Sequence, residues 1–294
     1  MKKVLLTGGS GFIGRNVIER LGSLCDISAP THKELELADA GAVRAYLRWK
    51  KFDVVVHAAI KPGHRNAKDL NGLLDADLRQ FMNIADNDAS WDRMIVLGSG
   101  LVYNHKHYRP MMAESFCGEF PPEDEAGFAK YVMARHGAKF GGRILDLRPF
   151  GVYGRYEDYA IRFISNAICK TLFSLPVTIN RNRKFSYVHV NDLVDVISHF
   201  IENAPAHDAY NVTPDAPAEL SDIAKLVVKI SGASVPLEIK NPGMGIEYSG
   251  SNKLLKSAMP QFKPLPLEDG IKELFGWYAG RKNLLDKSIL LEDK

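Results

Sequence analysis

The chain is poor in cysteine. Cys25, Cys117 and Cys169 are the only three, widely separated, odd in number and without metal-type spacing. A disulfide scaffold and a metal module are thereby excluded, and the thiols read as reduced side chains of a cytoplasmic protein. Long apolar runs are lacking as well. After Met1-Lys2-Lys3, which imitates the charged start of a secretion signal, only Val4-Leu5-Leu6 precedes the first glycines, and no stretch approaches a membrane span. Nor does one charge dominate: 38 basic residues face 35 acidic ones, a net charge of +3, and the basic residues are dispersed. Neither nucleic acid nor membrane is therefore expected as a partner. Repeats and low-complexity tracts are absent too. What is there suits a globular protein: 294 residues, 46% hydrophobic and 25% charged, enough for a substantial core in one large or two intimate domains.

Lys3-Val4-Leu5-Leu6 reads as a strand, and Thr7-Gly8-Gly9-Ser10-Gly11-Phe12-Ile13-Gly14 follows it directly. Gly8, Gly11 and Gly14 recur at every third residue, where the strand pattern gives way to a helix with Phe12, Ile13, Val17, Ile18 and Leu21 on one face, ended by Gly22. A diphosphate needs that arrangement. Glycines let the turn tighten and the backbone approach, and the helix N-terminus offers free N–H groups and positive dipole. Gly8, Ser10, Gly11, Phe12, Ile13 and Gly14 are thus the expected phosphate-binding segment of a dinucleotide site. A ligand-free glycine turn is the bland alternative.

Further strand-like runs lie at 26–29, 53–57, 93–97 and 144–147, with helical patterns between them at 40–50, which Asp39 could cap, and near 74–85. The alternation predicts an α/β fold with a doubly wound parallel sheet of Rossmann type and ligands at the carboxyl ends of the strands. Later, 160–172 looks helical, 185–190 strand-like, Asn191 or Asp192 could start a helix, and another runs from Ser221 to Gly232. The pattern divides the chain into a dinucleotide-binding domain, 1–154 plus about 185–203, and a smaller α/β substrate domain, about 155–184 plus 204–294.

The order of motifs resembles the extended short-chain dehydrogenase/reductase family acting on nucleotide-diphosphate sugars. The matching stretches are Thr7–Gly14, His57-Ala58-Ala59, Gly98-Ser99-Gly100-Leu101-Val102-Tyr103, Lys130, Arg148-Pro149-Phe150-Gly151-Val152-Tyr153-Gly154, Tyr187-Val188-His189-Val190-Asn191-Asp192 and Tyr210-Asn211-Val212. With Glu34-Leu35-Glu36-Leu37-Ala38-Asp39 and the short length, the likeness is greatest to the GDP-fucose synthase and dTDP-4-keto-sugar reductase branches. The resemblance implies that Ser99 polarises a sugar carbonyl, Lys130 binds the nicotinamide ribose and tunes a neighbouring phenol, and Ala58, Ala59, Leu37 and Phe150 line the cofactor. A turn-satisfying serine and a solvated lysine are the alternatives at Ser99 and Lys130. Lys61, Leu101, Asn166, Asn180 and Arg183 are candidate substrate contacts, with the loop Lys61-Pro62-Gly63-His64-Arg65-Asn66 within reach. The family also implies a homodimer.

The family's tyrosine, one helical turn before Lys130, is absent. Tyr-x-x-x-Lys stands here as Ala126-Gly127-Phe128-Ala129-Lys130, and a methyl group cannot exchange a proton. Tyr131 is rotated to another side of the helix, and the resemblance does not make Tyr103 the acid. Three readings stay open: a deliberate replacement that traps substrate, favoured because the rest of the site is intact; another acid or water; or a non-catalytic dinucleotide-binding sensor. Asp77 stands where the family commonly has asparagine, which puts one active-site backbone contact in question.

At the tip of the second strand no carboxylate is expected beside the ribose. Thr31, His32 and Lys33 stand there, which suits a 2′-phosphate and favours NADP, with NAD open if Lys33 is a solvated loop residue and Glu34 lies close. Ser99 is followed by Gly100-Leu101, without the acidic pair of the dehydratase branch. The expected activity is NADP-dependent reduction of a nucleotide-diphosphate-linked 4-keto-6-deoxy sugar, impaired if Ala126 has no substitute; the alternative is an NAD-dependent epimerase. His105-Lys106-His107 lacks companion ligands, so no metal is expected, and His189 reads as a core histidine.

Overall fold

β1 (Lys2–Thr7), β2 (Cys25–Ser28), β3 (Phe52–His57), β4 (Trp91–Leu97) and β5 (Ile144–Pro149) form where the apolar runs are strongest. The structure, a computed structural model, describes residues 1–62 and 71–291. Helices α1 (Phe12–Leu21), α2 (Ala40–Leu47), α3 (Leu73–Ala85) and α4 (Glu125–Gly137) connect these strands. Asp39 does cap α2, its Oδ1 accepting from the backbone N–H of Gly41 at 2.7 Å and of Ala42 at 3.0 Å.

Beyond β5 the chain forms β6 (Gly151–Tyr153), α5 (Phe163–Leu172), β7 (Val177–Asn182), β8 (Lys184–Phe185), β9 (Tyr187–His189), α6 (Val190–Glu202) and β10 (Ala209–Val212). It ends with β11 (Ala218–Glu219), α7 (Leu220–Ser231), β12 (Leu237–Met244), α8 (Lys253–Ala258) and α9 (Leu267–Ala279). Two elements differ from expectation. The helix expected from residue 160 begins at Phe163, because Asp158 first holds a turn by accepting from Ala160 N. The strand expected over 185–190 is broken at Ser186, whose N–H turns to the carbonyl of Tyr248 while its own carbonyl accepts from Gly151.

The main sheet has six parallel strands in the order β10-β5-β4-β3-β1-β2. Alternation along β1 sends Val4 and Leu6 to the face covered by α1 and α6, and Leu5 to the face covered by α2 and α3. This is the expected doubly wound Rossmann architecture. A third core, with Ile164, Ile168, Val227, Ile271 and Leu274, holds α5, α7 and α9 together. Residues 204–294 are not confined to that second unit: β10 pairs with β5, and Leu255 of α8 joins the core under the main sheet. The alternation of Tyr210 and Val212, both fully buried, draws this strand into the sheet.

Candidate active site

The strand order reverses between β1 and β3, and the glycine loop sits at that point. Gly8 has φ +73°, and a Cβ on it would lie 2.8 Å from the backbone of Ala58 and Ala59. The backbone of Ala58 and Ala59 thus packs directly on Gly8. Thr7 clips the same segment, its Oγ1 3.0 Å from His57 Nδ1 and accepting from Ala59 N at 3.3 Å. Gly11 N–H donates to Gly8 O at 3.0 Å, and a Cβ on Gly14 would lie 2.7 Å from Gly9 Cα. Gly11 then starts α1 with no side-chain cap, so the first-turn amides at Phe12, Ile13 and Gly14 face outward as a cradle, and Arg15 steadies the loop through Ser10 O. The cradle fits a diphosphate.

At the tip of β2, Thr31, His32 and Lys33 stand exposed as expected. The expected lack of a carboxylate there is corrected. Glu34 folds back, and its Oε2 accepts from Thr31 N at 2.8 Å and Thr31 Oγ1 at 2.9 Å. Those two bonds hold its carboxyl below the usual range. Glu36 stands 3.8 Å from the His32 ring. The Leu37 side chain is buried in the core and its carbonyl accepts from Asn83.

Ser99 follows β4, and its Oγ accepts from Leu101 N at 3.2 Å, capping the short turn Gly100–Val102. Lys130 reaches the same strand end from α4, with Nζ 3.1 Å from Leu97 O. Burial lowers the ammonium's pKa, opposed by Asp77 and Asp146. Nearby His57 is pushed down to about 3 by burial and then by Lys130, so it stays neutral. α4 lies tight on the turn, since a Cβ on Gly127 would be 2.8 Å from Leu101 O. Ala126 lies one turn from Lys130 on this helix, half-buried, and brings no proton. Asp77 does hold a backbone contact, accepting from Lys61 N at 2.7 Å. A carboxylate keeps the acceptor half of what an amide would offer.

The aromatic side of the site was not foreseen. Tyr248, 7% exposed, belongs to a segment stitched between two others: its N–H donates to Lys184 O at 2.9 Å and its carbonyl accepts from Ser186 at 3.0 Å. Ser249 O accepts from Met112 N at 2.9 Å and Ser251 N donates to Met112 O at 2.8 Å. The stitching sets the Tyr248 ring among those of Tyr108 and Phe185, with centroids 5.1 and 4.8 Å away. Gly100 makes the room. A Cβ there would lie 2.7 Å from both Tyr248 Oη and a Phe150 ring carbon. Phe150 packs on Tyr248 with ring centroids 4.7 Å apart, and Tyr108 donates to Gly100 O at 3.2 Å. The only sequence signal was a tyrosine in an irregular segment plus a bare Gly100.

Other expected residues have local duties. Tyr103 donates to Asn211 Oδ1 at 2.8 Å and accepts from Arg148, which is paired with Asp146 at 2.6 Å; all are buried. Tyr131 stacks on Phe128. Lys61 Nζ donates to Asn71 O at 2.6 Å, and Asn166 donates to Tyr159 O at 2.9 Å. Asn180, exposed on β7, accepts from Asn241 at 2.6 Å, while Leu101 and Arg183 keep partly exposed side chains. Gly63, His64, Arg65 and Asn66 lie outside the described residues. His189 caps α6 by accepting from Asn191 N at 3.3 Å, but its buried Nε2 has no hydrogen-bond partner among the described residues, so it is a core histidine only half satisfied there.

Known proteins share this fold. Residues 4–213 match the model of the NAD dependent epimerase/dehydratase family. The GDP-L-colitose synthase of Yersinia pseudotuberculosis is 22% identical over 96% of this chain and 99% of its own. A GDP-mannoheptose C4 reductase from Campylobacter jejuni, solved with NADP bound, superposes with a TM-score of 0.80 at 21% identity, covering 94% of this chain and 98% of that one. A GDP-L-fucose synthetase from Naegleria fowleri, bound to NADP, gives 0.82 at 16% identity, covering 96% and 95%. On the family match over most of its length, the chain belongs to the NAD dependent epimerase/dehydratase family.

Proposed function

We propose that the protein is an NADP-dependent reductase of a nucleotide-diphosphate-linked 4-keto-6-deoxy sugar, with a GDP-linked sugar favoured by its relatives' names. The carrying observation is the pairing of Ser99 and Lys130 around the end of β4, beside the glycine cradle. When bound, the reduced nicotinamide supplies a hydride. The rest falls to the chain: the loop from Gly8 to Gly14 holds the diphosphate, Lys130 orients the ribose, and Ser99 polarises the sugar carbonyl. Gly100-Leu101 leaves no carboxyl beside Ser99 to drive a dehydration. Lys61, Leu101, Asn166, Asn180 and Arg183 are the proposed substrate-facing set, and Thr31, His32 and Lys33 the proposed partners of a 2′-phosphate.

The test is oxidation of NADPH on a panel of GDP- and dTDP-linked 4-keto-6-deoxyhexoses. Turnover with freely exchanging NADPH is the expected result. Tightly retained NAD with interconversion of sugar epimers would replace the reading by an epimerase. Dinucleotide binding with no conversion of any sugar would leave a sensor.

A further inference from the structure

A dinucleotide's diphosphate brings negative charge to a loop that has no cation of its own, since Gly8 to Gly14 offers backbone amides and the Ser10 hydroxyl. The N-terminal end of α1 contributes about half a positive charge. Arg15 can supply a whole one. It stands four residues after Gly11, on the same side of the helix, and helical side chains lean towards the N-terminus. Its guanidinium accordingly reaches back to the loop, with Nε donating to Ser10 O at 3.0 Å. Arg15 is exposed, and among the described residues its two terminal nitrogens have no hydrogen-bond or ion-pair partner.

A carboxylate one helical turn away would ordinarily neutralise an arginine, and Glu19 stands at that spacing. Glu19 is engaged elsewhere. One of its oxygens accepts from the Tyr156 hydroxyl, and the other lies 3.6 Å from Arg155. Tyr156 has φ +74° and lies against α1, where Asn16 Nδ2 donates to Arg155 O at 3.0 Å. The Tyr156 ring centre is 5.3 Å from the Arg15 guanidinium carbon, and the same ring meets Trp277 of α9 edge to face at 5.4 Å. A strained tyrosine thus draws off the competing acid and gives the guanidinium a platform beside the loop. Resting on the dinucleotide part of the function proposed above, we infer that Arg15 is a diphosphate-binding residue of the cradle, aimed by Tyr156. The first-turn amides of α1 orient the diphosphate, and the terminal nitrogens of Arg15 neutralise it. The second unit takes part in holding the cofactor, because Trp277 backs the ring behind Arg15.

Calorimetric titration of NADPH, NADH, ADP-ribose and adenosine 2′-phosphate decides this, the last being the one ligand without a diphosphate. Arg15→Met keeps the apolar stem and deletes the charge. It should weaken NADPH, NADH and ADP-ribose alike by roughly tenfold, the scale of one charge-assisted hydrogen bond, and change adenosine 2′-phosphate less than about twofold. Tyr156→Leu should weaken the same three about two- to five-fold, and add nothing in the Arg15→Met background. An ADP-ribose affinity unmoved by Arg15→Met would overturn the proposal. So would a loss confined to NADPH, which makes Arg15 a ligand of the 2′-phosphate, or an equal loss for adenosine 2′-phosphate, which means a distorted loop. Additive losses in the double variant would overturn the part given to Tyr156. A wild type that binds neither NADPH nor NADH would overturn the dinucleotide reading and the proposal with it.

Discussion

Single side chains set the finest choices in this site, and Glu34 shows how. Its carboxylate occupies the N–H and hydroxyl of Thr31, one of the residues proposed to face a 2′-phosphate. Replacing Glu34 by Gln removes a like charge and should tighten NADPH binding roughly two- to five-fold, the scale of an exposed charge pair. NADH affinity should barely move. Fluorescence titration of both cofactors checks it, and equal tightening of the two would show that Glu34 does not act on the phosphate. The sequence revealed Glu34 as near but not as folded back. A three-residue reach of a carboxylate onto a loop N–H is decided by loop dihedrals, which composition does not encode. Ser99, Lys130 and the glycines were legible because each belongs to a spacing that chemistry requires. The place of Tyr248 was not, since it arises from packing against Gly100 and Phe150, far off in the chain.

Elements impose the next constraints. The turn from β1 into α1 works only with a left-handed Gly8 against the Ala58–Ala59 backbone. Gly8→Ala should weaken dinucleotide binding at least about tenfold and lower the melting temperature by a few degrees, through strain and a 2.8 Å clash. Unchanged affinity by the same titration would contradict the cradle. In the second unit, Glu157 lies buried, accepting from Ser165 of α5, while its carbonyl accepts from Tyr278 of α9. Burial pushes its carboxyl up to about 8. The folded protein therefore keeps a proton that the unfolded chain releases near 4.5, so this group's contribution to stability is complete below pH 4.5 and is lost as pH rises through 8. Glu157→Gln should flatten the fall in unfolding free energy between pH 5 and 8, measured by urea titration. Parallel slopes in the two proteins would refute it. Strands and helices of the first half were readable because both faces of their sheet are apolar and their caps are local; the break between β8 and β9 was not, because Ser186 answers a distant carbonyl.

At the scale of the whole molecule, two units share one chain unevenly. Residues 1–154 carry the glycine loop, Ser99 and Lys130, but the site is finished by segments from far along the sequence. The segment around Tyr248 bridges 184–186 and 111–112, and a buried row of Asp146, Arg148, Tyr103 and Asn211 ties β5, the loop after β4 and β10. Breaking that row should cost more than any surface change. Arg148→Met leaves Asp146 buried and unpaired, at about 3–5 kcal/mol. Adding Asp146→Asn should recover part of the loss, and chemical denaturation of the single and double variants measures both; additive losses would argue that the pair does not act as a unit.

The pairing of β10 with β5 bears on how the protein is made. Pro149 ends β5 and Ala209 begins β10, 60 residues later. At about 5–20 residues per second, translation leaves the outer edge of β5 uncovered for roughly 3–12 seconds. During that interval the nascent sheet presents unpaired backbone to its neighbours on the polysome, and the strand that ends the exposure has yet to be synthesised.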